Sequence, residues 1–535
     1  MQRILILVVF VYASATHAQI KSQVYIDSNP QDALEFADSL ALSSYLNQLQ
    51  LQWINQGYFF SGVDSILNND GHTNVYLHKG ERFKSSMSDA KGRQLQQQLS
   101  KELKSYLNNG YPFATISLDS LRIRNEKLYG SVVVKPGPKI IYDSAYFFNP
   151  VKTNHSYIYE LLDIVPGEPF SERSYQNISR KIERAAFLQI NRPPDLSFRA
   201  KQAKVFLDIS ENTSNTFQGV LGLQQSGAGN TSFVGNINLD IQNLFRSGKK
   251  LRFAWERFSE QSQTLDINYK HPFIFGSRIS PSFRLNILKQ DTTFLTRLAG
   301  IGINTYISPT LELFFEYEQT NGTLLSTDIA EIEGLADFTR NVSQIMLIEG
   351  NPNKLEAYTA DYVWSLSLGG GRKKVEKNVS LPDTYYDSIQ LNTDFYRIES
   401  HASYQLKVLK RQTFFHSLRA GFLSNDDLLR NELYRLGGLS TLRGFNEKSI
   451  FASSYLLSRM EFRSFFEDRS YAFVFYDQLF YRRSQFSDQP FGLGLGFSLV
   501  TSSGQFSFAF AVGDSKSQPI SFSTMKAHFG YIARF

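Results

Sequence analysis

From Thr216 to the C-terminus, large apolar residues return at every second position in one segment after another. Phe217, Gly219, Leu221 and Leu223 alternate with Thr216, Gln218, Val220 and Gln224, and Leu251, Phe253 and Trp255 alternate with Arg252, Ala254 and Glu256. Leu311, Leu313, Phe315 and Tyr317 alternate with Glu312, Phe314, Glu316 and Glu318. A period of two puts these sets on opposite faces of β-strands, one suited to lipid and the other mostly small or polar. A soluble sandwich alternates in the same way. However, the chain carries 45 Phe and 28 Tyr with a mean hydropathy of −0.27. Many aromatics without overall hydrophobicity fit a transmembrane barrel, which has lipid-facing rows, lumen-facing rows and aromatic girdles.

About sixteen strands, an even number as such barrels favour, can be placed. They start near residues 216, 231, 249, 263, 277, 292, 310, 341, 355, 392, 413, 451, 471, 490, 504 and 526. Tight turns are expected at Gly350-Asn351-Pro352-Asn353 and Leu409-Lys410-Arg411-Gln412. Longer loops are expected at Asn321 to Arg340, Gly370 to Leu391 and Ser424 to Ile450. The basic cluster Arg372-Lys373-Lys374 then falls in an outer loop, facing solvent or lipopolysaccharide. Arg459, Glu461 and Arg463 share a strand face opposite Leu456, Met460 and Phe462. That charged face should line the lumen, because lipid-facing Arg or Lys at the midplane costs about 2–4 kcal/mol.

The N-terminus reads as a secretory signal over residues 1–18. Arg3 is the positive residue, Ile4 to Tyr12 the apolar run and Thr16-His17-Ala18 the cleavage site, with Ala13-Ser14-Ala15 as an alternative. The run is far short of the roughly 20 residues a spanning helix needs. Cysteine is absent, which excludes disulfides, thiolate chemistry and a lipid-anchored N-terminal cysteine. The net charge of +6 is modest over 535 residues, and no basic stripe with interleaved aromatics marks a nucleic-acid site.

Between signal and barrel, the sequence repeats. Ile54-Asn55-Gln56-Gly57-Tyr58-Phe59-Phe60-Ser61 matches Leu107-Asn108-Asn109-Gly110-Tyr111-Pro112-Phe113-Ala114. Each follows a helix-like segment, Ala33 to Ile54 and Ser88 to Leu107, and each glycine fits a left-handed helix C-cap. Val75 to Gly80 matches Val132 to Gly137. A third unit has strand-like Lys139 to Phe148, helix-like Ser156 to Asp163 and Ser171 to Phe187, and strand-like Lys204 to Ile209. The expected modules are 19–80 (degenerate at its front edge), 81–138 and 139–215, with the barrel at 216–535. Two complete modules behind a helical leader are the alternative.

One Gly-rich loop stands out within the barrel half, Leu436-Gly437-Gly438-Leu439-Ser440-Thr441-Leu442-Arg443-Gly444-Phe445. Glycine there permits positive φ and close backbone approach. Arg443, Gly444 and Phe445 set a charge beside an aromatic; a solvated loop arginine is the plain alternative. Downstream lies Phe475-Tyr476-Asp477-Gln478-Leu479, and the chain ends on Phe529-Gly530-Tyr531-Ile532-Ala533-Arg534-Phe535.

In these features the sequence resembles the BamA/TamA superfamily of outer-membrane assembly and translocation factors. The resemblance implies α+β periplasmic POTRA modules followed by an all-β transmembrane barrel of about sixteen antiparallel strands. The family's sixth outer loop carries [Val/Ile]-Arg-Gly-[Phe/Tyr]; Leu442 departs mildly from it. Its partner strand carries Phe-x-Asp-x-Gly, and Leu479 departs at the glycine. By resemblance, Arg443 reaches into the lumen to Asp477, with Phe475, Glu461 and Arg463 as neighbours. A weak seam is expected between the first and last strands, Thr216–Gln225 and Lys526–Phe535, marked by Gly219, Gly222, Gly530 and Phe535. The terminal aromatic resembles the signal that outer-membrane barrels present to their assembly machinery.

No catalytic motif is present: Gly369-Gly370-Gly371-Arg372-Lys373 lacks Walker spacing, and the eight histidines are scattered. Neither an enzyme, a metal nor a cofactor is expected. The function implied is an outer-membrane factor that receives unfolded polypeptides on periplasmic modules, whose exposed sheet edges can accept an added strand, and inserts or translocates them through its seam. Lipids, lipopolysaccharide, periplasmic lipoproteins and an inner-membrane tether are the further partners. A two-partner-secretion transporter, with a helix plugging the pore ahead of its modules, is the alternative; Ala33 to Ile54 is open to being misread for such a helix. A plain porin or receptor barrel is the remaining one.

Overall fold

The computed structural model describes residues 20–534 apart from 32, 37–41, 43, 44, 47, 48, 51, 54, 55, 59, 70, 71, 83, 86–91, 125, 126, 226–230, 351–353, 356, 502 and 503. The signal segment, Phe535 and the Asn351-Pro352-Asn353 turn lie outside the described residues. The chain forms two compact units, the first reaching Ile141 and the second holding most of the remainder.

In the first unit, strand Ile20–Ile26 runs parallel to His72–His78, which pairs antiparallel with Gly62–Asn69. Val24, Val75 and Leu77 on this sheet bury against Leu42, Leu46 and Trp53 from a helical stretch. The expected helix from Ala33 is corrected at its start: Leu34–Phe36 is a short strand on Ile20–Ser22. A second sheet pairs Thr115–Arg124 with Lys127–Lys135, beside helix Gly92–Leu107. The sequence repeat has a structural cause. Gly57 and Gly110 both have positive φ, and Tyr58 and Tyr111 donate their backbone N–H to the carbonyls of Trp53 and Tyr106. Those six-to-one bonds close both helices in the same motif.

The second unit opens with strand Ile141–Phe147, helix His155–Leu162, two short helices, Glu172–Gln176 and Ile178–Ile182, and strands Leu188–Arg199 and Gln202–Glu211. The helix expected from Ser171 to Phe187 is thus two pieces. Leu188–Arg199 was not expected as a strand, because Pro193-Pro194 reads as a breaker. It lies at a sheet edge, where proline's missing N–H is tolerated.

From Thr216 the chain closes into an antiparallel barrel of sixteen strands. The alternation located all of them, with the widest miss at the ninth strand, Asp361–Glu376, expected near 355. Phe315, Tyr317, Ile345 and Leu368 are exposed on the outer wall, while Glu316, Glu318 and Gln344 are buried inside. No described helix is long and apolar enough to cross a membrane. A closed barrel satisfies its backbone hydrogen bonds without an edge, so this wall can stand in lipid. Lys410 and Arg411 make a two-residue turn between Asn392–Leu409 and Gln412–Ser424, Arg411 taking φ 62°.

Two loop expectations are corrected. Strands Leu311–Leu324 and Asp337–Gly350 extend into the segment assigned to the Asn321–Arg340 loop. Arg372, Lys373 and Lys374 lie in the ninth strand, not in an outer loop, and Lys373 is buried. The glycines at 369–371 remove the apolar beat that would have announced the strand.

The 142–211 region sits against the barrel's turns at one end. The Asn154 N–H donates to the Arg246 carbonyl at 2.8 Å, and the Tyr157 ring lies 5.6 Å from that of Phe273. Arg184 donates to the Ser308 carbonyl at 2.7 Å and stacks 3.9 Å over Tyr306, while Lys354 meets Glu183 at 2.7 Å. The opposite, outer end carries the long loops.

Candidate functional site

The loop that follows Gln412–Ser424 turns back into the barrel. Gly437, Gly438 and Gly444 take φ of 108°, 94° and 91°, a region that disfavours other residues. The Gly438 N–H donates to the Leu442 carbonyl at 3.0 Å, and Thr441 Oγ1 accepts from the Gly437 N–H at 2.8 Å. Glu447 accepts from the Leu439 N–H at 2.7 Å, closing the fold from the other side.

This fold delivers Arg443 to the barrel interior, where it is 2% exposed. Its Nε and Nη2 donate to the two oxygens of Asp477 at 2.7 and 2.6 Å, and its Nη1 donates to Glu461 at 2.7 Å. The guanidinium carbon lies 3.6 Å from the centre of the Phe475 ring. Glu461 is shared with Arg463, which also donates to the Leu355 carbonyl at 2.7 Å and to Gln405 at 2.8 Å. Charges therefore alternate from Asp477 through Arg443 and Glu461 to Arg463. Each buried charge has an opposite neighbour, the condition for holding charge away from water. Two-pronged Arg–carboxylate geometry also fixes direction.

Phe445 packs with Leu436, Leu442, Ala452, Leu457 and Leu479. Leu442 and Leu479, the two departures from the family pattern, are thus buried in one cluster. The seat for the loop tip went unrecognised in the sequence. In strand Phe491–Thr501, Gly492, Gly494 and Gly496 face inward, and a Cβ at Gly492 would overlap the Arg443 carbonyl. A Cβ at Gly494 would come within 2.7 Å of the Phe475 ring, and one at Gly513 within 2.6 Å of Phe445. Glycine at every second position of a strand was the readable signal.

Another unforeseen group, Glu432, lies earlier in the same loop. It accepts from Lys373 at 2.8 Å, from Arg340 at 3.2 Å and from the Leu429 N–H at 3.0 Å. Beside it, Leu429 joins Ile332, Leu335, Phe338, Val375 and Tyr386 in an apolar core among the outer loops and strand ends.

The first and last strands, Thr216–Gln225 and Lys526–Arg534, pair over four residue pairs, from Thr216–Arg534 to Gly219–Tyr531. The first strand pairs with the second over ten, and the last with the fifteenth over seven. Gly219 lies on the paired stretch; Gly222 and Gly530 lie beyond it.

No protein-family model matches the sequence, and no curated protein is similar to it. Among solved structures, CdiB from Escherichia coli aligns at 13% identity over 99% of this chain and 93% of that one, TM-score 0.54. CdiB from Acinetobacter baumannii aligns at 11% identity over 98% and 91%, TM-score 0.53. BamA from Haemophilus ducreyi lacking POTRA domains 1–3 aligns at 13% identity over 83% and 94%, TM-score 0.45. The chain shares its overall fold with the two CdiB structures, and that fold places small α+β sheets and helices ahead of a sixteen-strand antiparallel barrel.

Proposed function

We propose that this protein is an outer-membrane factor that takes unfolded polypeptides on periplasmic modules and helps them into the membrane at the seam between its first and last strands. The short seam carries this reading. Four residue pairs join its strands, against ten on the neighbouring side of the first strand. Opening it exposes few ladder groups to lipid, where each unsatisfied group costs several kcal/mol. An incoming strand can pair with those groups, so client folding supplies the drive without nucleotide. The buried Arg443–Asp477 pair supports the reading by fixing the inward loop to the partner strand while the seam works. Lipoproteins and an inner-membrane tether are further proposed partners.

A second reading, a transporter of the two-partner-secretion type working through its lumen, draws on the full-length fold likeness to the CdiB structures. Against it stands the helical stretch around Leu42 to Trp53, packed in the first module's core instead of free as a plug.

The two readings separate on a locked seam. Because the chain lacks cysteine, Phe217→Cys with Ala533→Cys, a registered pair, can be oxidised without competing thiols. Insertion of client barrels should stop on oxidation and return with reductant. Undiminished insertion with the seam quantitatively crosslinked would overturn lateral opening and favour the lumen.

A further inference from the structure

On the outer wall, near the barrel end opposite the 142–211 region, a groove of about 450 Å³ crosses four strands. Its floor follows from the register. One cross-strand row runs Ile398, Phe422, Ser454, Arg482, and the row below it runs Ser400, Ala420, Leu456, Phe480. Ile398, Phe422, Leu456 and Phe480 are exposed, while the small side chains between them leave the depression. Ser487, Asp488 and Gln489, in and beside the short strand paired with Tyr481–Arg483, complete the lining.

Charge at the rim is asymmetric. Arg482 lines the groove and is exposed. Lys516 reaches the same short strand, donating to the Ser487 carbonyl at 2.7 Å. The one acidic lining group, Asp488, is buried and accepts from the backbone N–H groups of Gln489 and Lys516 at 2.8 and 3.2 Å. An apolar floor in the lipid-facing wall below cations therefore fits a lipid with an anionic headgroup. Four strands span about 14 Å at the usual inter-strand spacing, wider than one hydrocarbon chain.

We infer that this groove holds a phosphorylated, multiply acylated glycolipid of the outer leaflet, its acyl chains over Phe422, Leu456 and Phe480 and its phosphate at Arg482. The inference rests on the outer-membrane reading but not on the client route.

The test uses the purified full chain in detergent, incubated with diphosphorylated lipid A, dephosphorylated lipid A or phosphatidylglycerol, then washed and analysed for retained lipid by native mass spectrometry. Wild type should retain the diphosphorylated lipid A and lose the other two. Arg482→Ala should lower retention about fivefold, as for one basic residue near a membrane surface. Ser454→Trp, which fills the groove and leaves the cation, should lower it as well. Retention unchanged in both variants, or phosphatidylglycerol held as firmly as lipid A, would overturn the assignment. Variants are compared only where the heat-dependent gel shift of a folded barrel persists; should Ser454→Trp lose it, Leu456→Ala is used to erode the floor. Client insertion is not part of the readout, so failure here leaves the seam reading standing.

Discussion

Arg443 and Asp477 meet in two parallel hydrogen bonds inside the barrel, 34 residues apart in sequence and both withdrawn from solvent. Removing one partner of such a buried pair leaves an uncompensated charge and typically costs about 3–5 kcal/mol. Arg443→Ala should release the inward loop while the barrel stays folded, read as new protease cleavage within 436–450 with the gel heat shift retained. Arg443→Lys should recover little, since lysine cannot make the two-pronged contact. A double-mutant cycle with Asp477→Ala measures the coupling; strict additivity would show that the two side chains act separately.

Glycine substitutions distinguish a seated loop tip from a loosely placed one. Gly492→Ala puts a methyl into the Arg443 carbonyl, and Gly444→Ala adds a Cβ at 2.8 Å from the Val512 and Gly513 backbone at φ 91°. Both should expose the loop to protease as Arg443→Ala does. Gly530→Ala meets nothing closer than 3.9 Å and should leave the loop protected. Equal protection in all three would mean that the tip does not rest on strand Phe491–Thr501 and the Val512–Gly513 backbone beside it.

What the sequence made legible follows the range over which each signal acts. Strand alternation is local, so all sixteen strands could be placed, and the repeated helix endings around Gly57 and Gly110 are likewise local. Alternation put Glu461 and Arg463 on the lumen face, whereas the meeting of Arg443 with Asp477 and Phe475 came by resemblance. Glu432 gave no signal, because its partners Arg340 and Lys373 lie on strands 92 and 59 residues away. The fate of Lys373 could not be read from a Gly-Gly-Gly-Arg-Lys-Lys run that looks like a solvated loop. Leu188–Arg199 was hidden by its prolines, which only an edge position excuses.

That unforeseen group yields a prediction of its own. Glu432→Ala leaves Lys373 and Arg340 buried without a carboxylate and should destabilise the outer cap by about 3–5 kcal/mol. Pairing Glu432→Met with Lys373→Met and Arg340→Met should restore much of the loss, because well-packed apolar replacements of buried ions are often neutral. Hydrogen exchange across residues 325–336 and 377–391 is the measurement. Failure of the triple variant to recover protection would mean that the charges specify the cap's geometry beyond balancing one another.

The attachment of the last module to the barrel should depend on one aromatic and one arginine. A Cβ at Gly248, whose φ is 69°, would overlap the Tyr157 ring, so Gly248→Ala must displace that ring or the turn beneath it. Arg184→Ala removes the hydrogen bond to the Ser308 carbonyl and the stacking on Tyr306, together worth about 1.5–3 kcal/mol for a bond from a charged donor plus about 0.5–2 kcal/mol for the stacking. The salt bridge from Lys354 to Glu183 is more exposed and should contribute less than about 1 kcal/mol. Either Gly248→Ala or Arg184→Ala should therefore raise hydrogen exchange in helix His155–Leu162 and admit protease to the 212–215 linker, whereas Lys354→Ala should do neither. The barrel's heat shift should be the same in all three. A Lys354→Ala variant as loosened as Arg184→Ala would place the attachment in the exposed ion pair instead of the buried contacts.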